Sequence, residues 1–349
     1  MNIAIDITPL ISGHAARGVG IYTKNLIEAL RKYENKHSYS FFTRGEKIPK
    51  DAEIVHYPYF DPFFLTLPLK KKVPTVVTVH DLIPLVFPDR FPAGFRGMLK
   101  WQIQKAALKK TNRILTVSDC SKKDVEKLVG IVENKIDVVY SAASEGYLHT
   151  IDKQALADLK KKYSLPENYF MYVGDVNWNK NIQGMIQAFA RFYIKTKGYT
   201  LVLIGKSFLD KSLQETKEIY DLINKLGIGN QVIMPGYVSE EDLKGLYALA
   251  CSSLEPSFYE GFGLPVLESM ISGCPVLVAD NSSLKEIAGP SIRIDAYDVS
   301  SITHGMDVIT SLTQKARKKL ITEGIAWSHQ FSWEKTAQET IAVYEKILG

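Results

Sequence analysis

Cysteine is scarce in this chain: three among 349 residues, Cys120, Cys251 and Cys274, far apart. That spacing excludes a disulfide-stapled fold and fits no metal-ligand pattern, so it reads as buried, reduced thiols in a cytosolic protein. Long apolar runs are missing too, and none approaches the roughly 18–20 residues a bilayer-spanning helix needs. The opening MNIAIDITPLI has neither a basic leader nor a small-residue cleavage site. It reads as a first strand, not a signal peptide. There is no Asp-x-Asp metal motif, no internal repeat and no low-complexity tract, and no nucleic-acid recognition module is visible. What remains is an ordinary globular composition, 46% hydrophobic and 23% charged. Its length suggests about two domains and the pattern a cytoplasmic protein.

Short β-rich runs alternate with helical-period segments along the chain. One set of strands is expected at 2–7, 54–57, 75–79, 113–117 and 137–140, and a second at 169–173, 200–204, 231–234, 249–254 and 275–279. These runs are near-continuously apolar and joined by helices, which predicts an α/β architecture with parallel sheets covered on both faces. Ligands of such sheets bind beyond the carboxyl ends of the strands. Polar landmarks fall there: His80-Asp81, Ser118-Asp119, Gly174-Asp175 and Gly205-Lys206. Residues 142–168 read as linker plus a basic helix, with a domain boundary near residue 164.

The most informative stretch is EPSFYEGFGLPVLESMISGCPVLVADNSSLKEIAG, Glu255–Gly289. Glu260 precedes a tight Gly261-Phe262-Gly263 loop, a helix opens with Pro265 in its first turn, and Glu268 follows one turn in. Proline just inside a helix and glycine (Gly273) just past its end is the expected asymmetry. The loop aims bare backbone N–H groups and a helix N-terminus at one point, which favours an anion there. Two flanking carboxylates do not suit a phosphate; they suit hydroxyls of a sugar and a ribose. A phosphate cradle rimmed by hydroxyl acceptors is what a nucleotide-sugar needs.

This segment, with two glutamates eight positions apart (Glu260 and Glu268) around EGFGLPVLE and then GCPVLVAD, resembles the donor site of the retaining glycosyltransferases of family 4. The resemblance covers nearly the whole chain. It implies the GT-B fold: two Rossmann-like, doubly wound parallel-sheet domains facing across a cleft. Domains are then expected at 1–163 and 164–329, with the FSWEKTA segment opening a terminal helix, 330–349, that crosses back to the first domain. The stretch HDLIPLVFP, His80–Pro88, is similar to bacterial enzymes building O-antigen and capsular chains. That implies a hexose donor leaning toward GDP-mannose and a saccharide acceptor, lipid-linked, in polysaccharide biosynthesis.

Four further landmarks carry expected roles. In GHAARGVGIY, Gly13–Tyr22, Gly18 and Gly20 allow close backbone approach to a ligand, and a helix from Ile21 presents its N-terminus to a diphosphate. In TVHDLIP, the His80-Asp81 pair suits hydrogen bonds to sugar hydroxyls, His80 also suits acid–base work near neutral pH, and capping the next segment is the alternative role for Asp81. In YVGDVNWNKN, after Gly174, Lys180 matches the family lysine that grips donor phosphates. Many relatives carry arginine where this chain has Asp175 or Asn179, so Lys206 or Arg17 is a candidate for the missing charge. In MPGYVSEEDL, Ser239 caps a helix with Asp242, and the resemblance implies that backbone groups of Tyr237 and Val238 hold the base.

The resemblance thus implies a metal-independent enzyme without cofactor. His80, Lys180 and Glu260 would be catalytic. Gly18, Gly20, Gly174, Lys206, Tyr237, Val238, Gly261, Phe262, Gly263, Leu264 and Glu268 would bind the donor. Two other readings stand beside it: a nucleotide-sugar epimerase of the same fold, and a non-catalytic donor-binding subunit of an assembly complex.

The net charge of +5 is unevenly spread. Residues 1–145 hold 22 Lys/Arg against 15 Asp/Glu, +7, and residues 146–349 hold 21 against 23, −2. Lys70-Lys71-Lys72 and the helical stretch Lys100, Lys105, Lys109, Lys110, Arg113, with Trp101, Ile103 and Leu108 among them, suit peripheral contact with an anionic membrane at its inner face or a pyrophosphate-linked lipid. A solvated helix face is the alternative.

Overall fold

In the computed structural model, residues 1–13, 18–148 and 151–349 are described. Arg17, a candidate phosphate ligand, lies outside them. The chain divides into two compact units, Met1–Ala142 with Phe331–Gly349, and Ala143–Gln330.

The first unit holds a six-stranded parallel sheet in the order β2-β1-β3-β4-β5-β6. Its strands are β1 (Asn2–Asp6), β2 (Ser38–Phe42), β3 (Ile54–Tyr57), β4 (Thr75–Val79), β5 (Arg113–Thr116) and β6 (Ile136–Val138). Two long helices matter here, α1 (Gly18–Tyr33) and α2 (Gly94–Lys109). β4, TVVTV, is buried at every residue, as a parallel strand covered on both faces must be.

The second unit holds the order β12-β11-β10-β7-β8-β9, also parallel. These strands are β7 (Tyr169–Val173), β8 (Thr200–Ile204), β9 (Val232–Gly236), β10 (Ser252–Glu255), β11 (Val276–Ala279) and β12 (Ile292–Ile294). The helices of eight or more residues are α3 (Lys153–Lys162), α4 (Ile182–Lys195), α5 (Gln214–Leu226), α6 (Glu240–Leu249), α7 (Leu264–Ile271), α8 (Val299–Ser311) and α9 (Gln314–Ser328). Alternation splits each central strand between two cores. Phe170, Tyr172, Leu201 and Leu203 join one cluster with Phe189 and Phe192 of α4. Tyr169, Met171, Val202 and Ile204 join another with Leu246 and Tyr247 of α6. Both faces are apolar, so the sequence shows an unbroken run. The last helix, α10 (Trp333–Leu348), packs with α1 in the first unit.

Several expectations need correction. The division falls at Ala142/Ala143, not near 164. Residues 143–163 join the second unit because Tyr147 and Leu159 enter its core and Tyr163 Oη donates to Asp242 at 2.6 Å. Leu249 closes α6 and does not open a strand. α1 begins by Gly18, not Ile21. Trp101 and Leu108 are buried beneath α2 and not interleaved with its lysines at the surface. Of the three free cysteines only Cys274 is buried; Cys120 and Cys251 are partly exposed.

Candidate functional site

In the second unit the strand order reverses at β7, whose neighbours are β8 and β10. A crevice opens where the loops leaving β7 and β10 diverge, the standard ligand position for this topology. The two loops bring Lys180 and Glu260 together: Nζ lies 2.7 Å from Oε1, with the glutamate side chain 9% exposed and the lysine 22%. Burial would push the Lys180 ammonium down, but the Glu260 carboxylate, with Glu255 and Asp175, outweighs it and holds the group above its ordinary value.

The Glu260 loop is clamped from both sides. From the β7 loop, Asn179 Nδ2 donates to Tyr259 O at 3.0 Å, and Asn181 Nδ2 donates to Pro256 O at 3.1 Å and Ala296 O at 2.7 Å. From the loop after β11, Ser282 Oγ accepts from Glu260 N at 3.0 Å. Ser283 Oγ donates to Glu260 O and Phe262 O. Gly263 then caps α7 at φ 102°, where a Cβ would strike the Leu284 side chain. Glycine is required there for both reasons. Pro265, which has no N–H, follows in the first turn, Val266 N donates to Gly263 O at 3.0 Å, and Leu264 begins the helix, so the positive end of α7 follows closely on Glu260.

Glu268 sits one turn into α7. Burial pushes its carboxyl up to about 7, with the Glu240 carboxylate adding to the shift and the facing hydroxyls of Tyr147 and Tyr247 opposing it. The Tyr247 hydroxyl is buried without a well-formed hydrogen bond. Glu255, at the end of β10, was not among the expected site residues. It is 2% exposed and one carboxyl oxygen has no hydrogen-bond partner. Burial raises its pKa well above the usual range; Lys180 opposes this and the Glu260 and Glu268 carboxylates reinforce it. Burial thus favours the protonated form of Glu255. Only its burial in the fold reveals this, and the sequence EPS does not. Tyr147 was missed for a different reason: it lies in the stretch read as linker.

The remaining expected groups line the same edge. Gly174 and Gly205 end β7 and β8, and a Cβ on Gly205 would strike the Gly174 carbonyl. Lys206 follows, its Nζ 5.8 Å from the Tyr237 ring centroid. Tyr237 is exposed and Val238 buried, and Ser239 Oγ caps α6 by accepting from Asp242 N at 3.2 Å. Asp175, in place of a family arginine, accepts from Ser207 Oγ at 2.9 Å. Asp175 and Asn179 thus hold loops. An aromatic ladder borders the pair: Trp178 and Phe258 rings lie 4.9 Å apart, and Phe258 stacks on exposed Tyr297 at 4.7 Å.

His80, Gly18 and Gly20 lie in the first unit. Gly18 and Gly20 form the first turn of α1. His80 follows β4, donates from Nε2 to Pro58 O at 2.9 Å and meets Tyr22 edge-on at 4.6 Å. That bond leaves Nδ1 as the ring's acceptor. Burial draws His80 down to about 4, against the Pro58 bond, so the ring is neutral near pH 7 and not poised between its two forms. Asp81 accepts from Ile83 N at 3.0 Å and caps the next segment. Beneath, His56 bridges Tyr344 Oη at 2.6 Å and Thr78 Oγ1 at 2.8 Å. This ties α10 to the sheet. No group of three or more His, Cys, Asp or Glu side chains gathers to hold a metal among the described residues.

Comparison with known proteins follows this geometry. The family models described as "Glycosyl transferases group 1" and "Glycosyltransferase Family 4" match residues 157–327 and 48–143. The chain is similar to O-antigen chain mannosyltransferase B of Escherichia coli, with 31% identity over 83% of this chain and 74% of that one. It is also similar to the serotype-specific mannosyltransferase WbdA of Escherichia coli, 30% identical over 78% of this chain, which spans only 34% of that longer protein. Among solved structures, sucrose-phosphate synthase of Thermosynechococcus elongatus superposes with TM-score 0.78 at 18% identity, covering 100% of this chain and 99% of that one. HepE of Anabaena, in complex with UDP and glucose, gives TM-score 0.77 at 15% identity over 99% of this chain and 100% of that one. These two share the fold.

Proposed function

We propose, for a chain that belongs to the group 1 glycosyltransferases with the GT-B fold, that it moves mannose from GDP-mannose to a lipid-linked saccharide with retention of anomeric configuration. The mannosyl donor is supported by the relatives, which are O-antigen mannosyltransferases. A nucleoside-diphosphate ligand is supported by HepE, which has been solved with UDP-glucose.

The observation that carries the reading is the Lys180–Glu260 pair at the switch point, the glutamate buried and the lysine partly so, beside the N-terminus of α7. An arriving diphosphate takes the ammonium of Lys180 and leaves Glu260 to accept from donor-sugar hydroxyls, with the amides of Gly261, Phe262 and Gly263 beside it. Fixed dipoles and one lysine then stabilise the charge that develops as the diphosphate leaves, without reorganisation and without a metal ion. Lys206 adds charge, Glu268 accepts from the ribose hydroxyls, and the backbone of Tyr237 and Val238 meets the base. His80, held neutral, accepts from a sugar hydroxyl. The acceptor hydroxyl attacks on the leaving-group face and passes its proton to a donor phosphate oxygen.

The test is release of nucleoside diphosphate from GDP-mannose and UDP-hexoses, in EDTA, with and without oligomannoside acceptors. The product's anomeric configuration is then read by NMR. Acceptor-dependent release of GDP in EDTA supports the reading. A changed sugar without acceptor would make it an epimerase, and binding without turnover a donor-binding subunit.

A further inference from the structure

The first unit exposes a large apolar surface that its own core does not use. On α2, Gly97, Trp101, Gln104 and Leu108 face inward and are buried. The opposite side is not wholly polar, as a solvated helix face would be; exposed Gln102 and Lys109 share it with apolar groups. It shows Phe95, 86% exposed, with Met98 and Leu99. The preceding loop adds exposed Phe64, Leu65 and Leu69.

The loop is fastened to the helix. Gln104 Oε1 accepts from Thr66 N and Leu67 N, both at 2.9 Å, and Gln104 Nε2 donates to Leu67 O. Lys71 Nζ donates to Ala107 O at 2.6 Å. Lys100 Nζ lies over the Phe64 ring at 5.3 Å, so the two apolar sets are joined across a cation. The apolar side chains are thus displayed by a buttressed element, with no flexible tip to fold them away.

The charge around them is mostly positive; the exception is Asp61, whose Oδ1 accepts from Phe63 N and Phe64 N at 2.7 and 3.1 Å. Lys70, Lys72, Arg96 and Lys100 border the patch, and neither residues 62–80 nor residues 94–110 contain an aspartate or glutamate. Large exposed apolar patches mark protein or membrane contacts. Aromatic and aliphatic groups ringed by lysine and arginine match a headgroup–acyl boundary carrying negative charge. No helix among the described residues is long and apolar enough to cross a membrane, so contact through this face is with a surface.

We propose that the face formed by α2 and the 63–72 loop docks on an anionic lipid bilayer, with Phe64, Leu65, Leu69, Phe95 and Leu99 entering the interface and the bordering cations meeting lipid phosphates. This deepens the lipid-linked-acceptor reading, but its test reads binding without turnover, so either can fail alone.

Flotation of the full chain with phosphatidylcholine vesicles, with and without phosphatidylglycerol, decides it. The chain should float only with the anionic vesicles, and less as salt rises. The double variant Phe95→Ser, Leu99→Ser should weaken partition at least about tenfold. Each of Lys70→Gln, Lys72→Gln and Lys100→Gln should cost about fivefold. All should leave the melting temperature and nucleoside-diphosphate binding unchanged, because the side chains are outside the core and the site. No flotation at low salt, or variants that float as well as the parent, would overturn the proposal. So would a dimer in sedimentation that Phe95→Ser dissolves, without lipid binding: the face would then join two copies of the chain.

Discussion

The two sheets share most of a strand order, β2-β1-β3-β4-β5-β6 against β9-β8-β7-β10-β11-β12, yet the groups at their carboxyl edges differ in kind. In the second unit a lysine and three glutamates, Glu255, Glu260 and Glu268, crowd around one helix N-terminus. In the first, His80, His56, Tyr22 and Thr78 form a buried network of neutral groups. The first sheet reverses at β1, and His80 follows β4, while the second reverses at β7, which Lys180 follows; the side chains decide which edge handles charge. A departing diphosphate needs the charged one. Sugar hydroxyls need only oriented neutral acceptors and donors.

Lys180→Ala should break this contrast most severely. Losing the cation paired with Glu260 at the switch point should lower kcat about 10²–10³-fold, the scale seen when a group stabilising transition-state charge is removed. Donor KM should move less. It should also lower the melting temperature, because Glu260 is left as a buried charge without its partner.

Glu268→Ala comes next, with a loss of about 1.5–3 kcal/mol in donor kcat/KM for a charged hydrogen bond to ribose. The Glu268 carboxyl titrates near 7 when folded and near 4.5 otherwise. Between those values the folded state holds the extra proton, so this group's contribution to stability is full below about 4.5 and declines as pH rises to 7. Donor binding to the carboxylate must release that proton. Nucleoside-diphosphate affinity should therefore tighten from pH 5.5 to 7.5 in the parent and stay flatter in Glu268→Gln, as measured by calorimetry in buffers of different ionisation enthalpy.

The first unit should respond differently. With His80 at about 4, any inflection near 7 in kcat/KM should come from Glu268 and survive His80→Gln; one removed by His80→Gln would contradict a neutral role. The neutral imidazole is favoured on folding, so stability from this group is full above 6.5 and lost as pH falls toward 4.

Asn179→Ala should cost about 1 kcal/mol of stability through the lost bond to Tyr259, read by denaturant unfolding. The smallest effect is expected of Glu255→Gln. Burial favours its protonated form, which the amide imitates, so kcat should change by less than about twofold; a large loss would mean that Glu255 carries charge in the reaction.

Much of this was legible in the sequence, for identifiable reasons. Strands at 54–57, 75–79, 169–173 and 200–204 match the structure to the residue because a strand buried on both faces is a continuous apolar run. The edge strands β2 and β12 were missed. SYSFF is only partly covered and IRI is three residues with an exposed Arg293, so neither carries that signal. Glu260 and Lys180 lie together although 80 residues separate them, and the Pro265 and Gly263 positions announced the helix that joins them to the site. Glu255, Tyr147 and the serines at 282 and 283 were not legible. Their part depends on which loops fold back over Glu260, which no local pattern records. The exposed apolar residues of α2 were misplaced by one face of the helix: lysine spacing drew attention to Trp101, while burial turned Trp101 inward and left Phe95 and Leu99 outside.

The central claim is that Lys180 and the α7 N-terminus bind a diphosphate without a metal. Titration of the purified chain with GDP, UDP, dTDP and ADP in EDTA tests it directly, with Lys180→Ala beside it. One nucleoside diphosphate should bind and, at 100 times its Kd, stabilise the fold by about 2.7 kcal/mol, with affinity at least tenfold weaker in Lys180→Ala. Binding of none of them, or equal binding by the variant, would contradict the account.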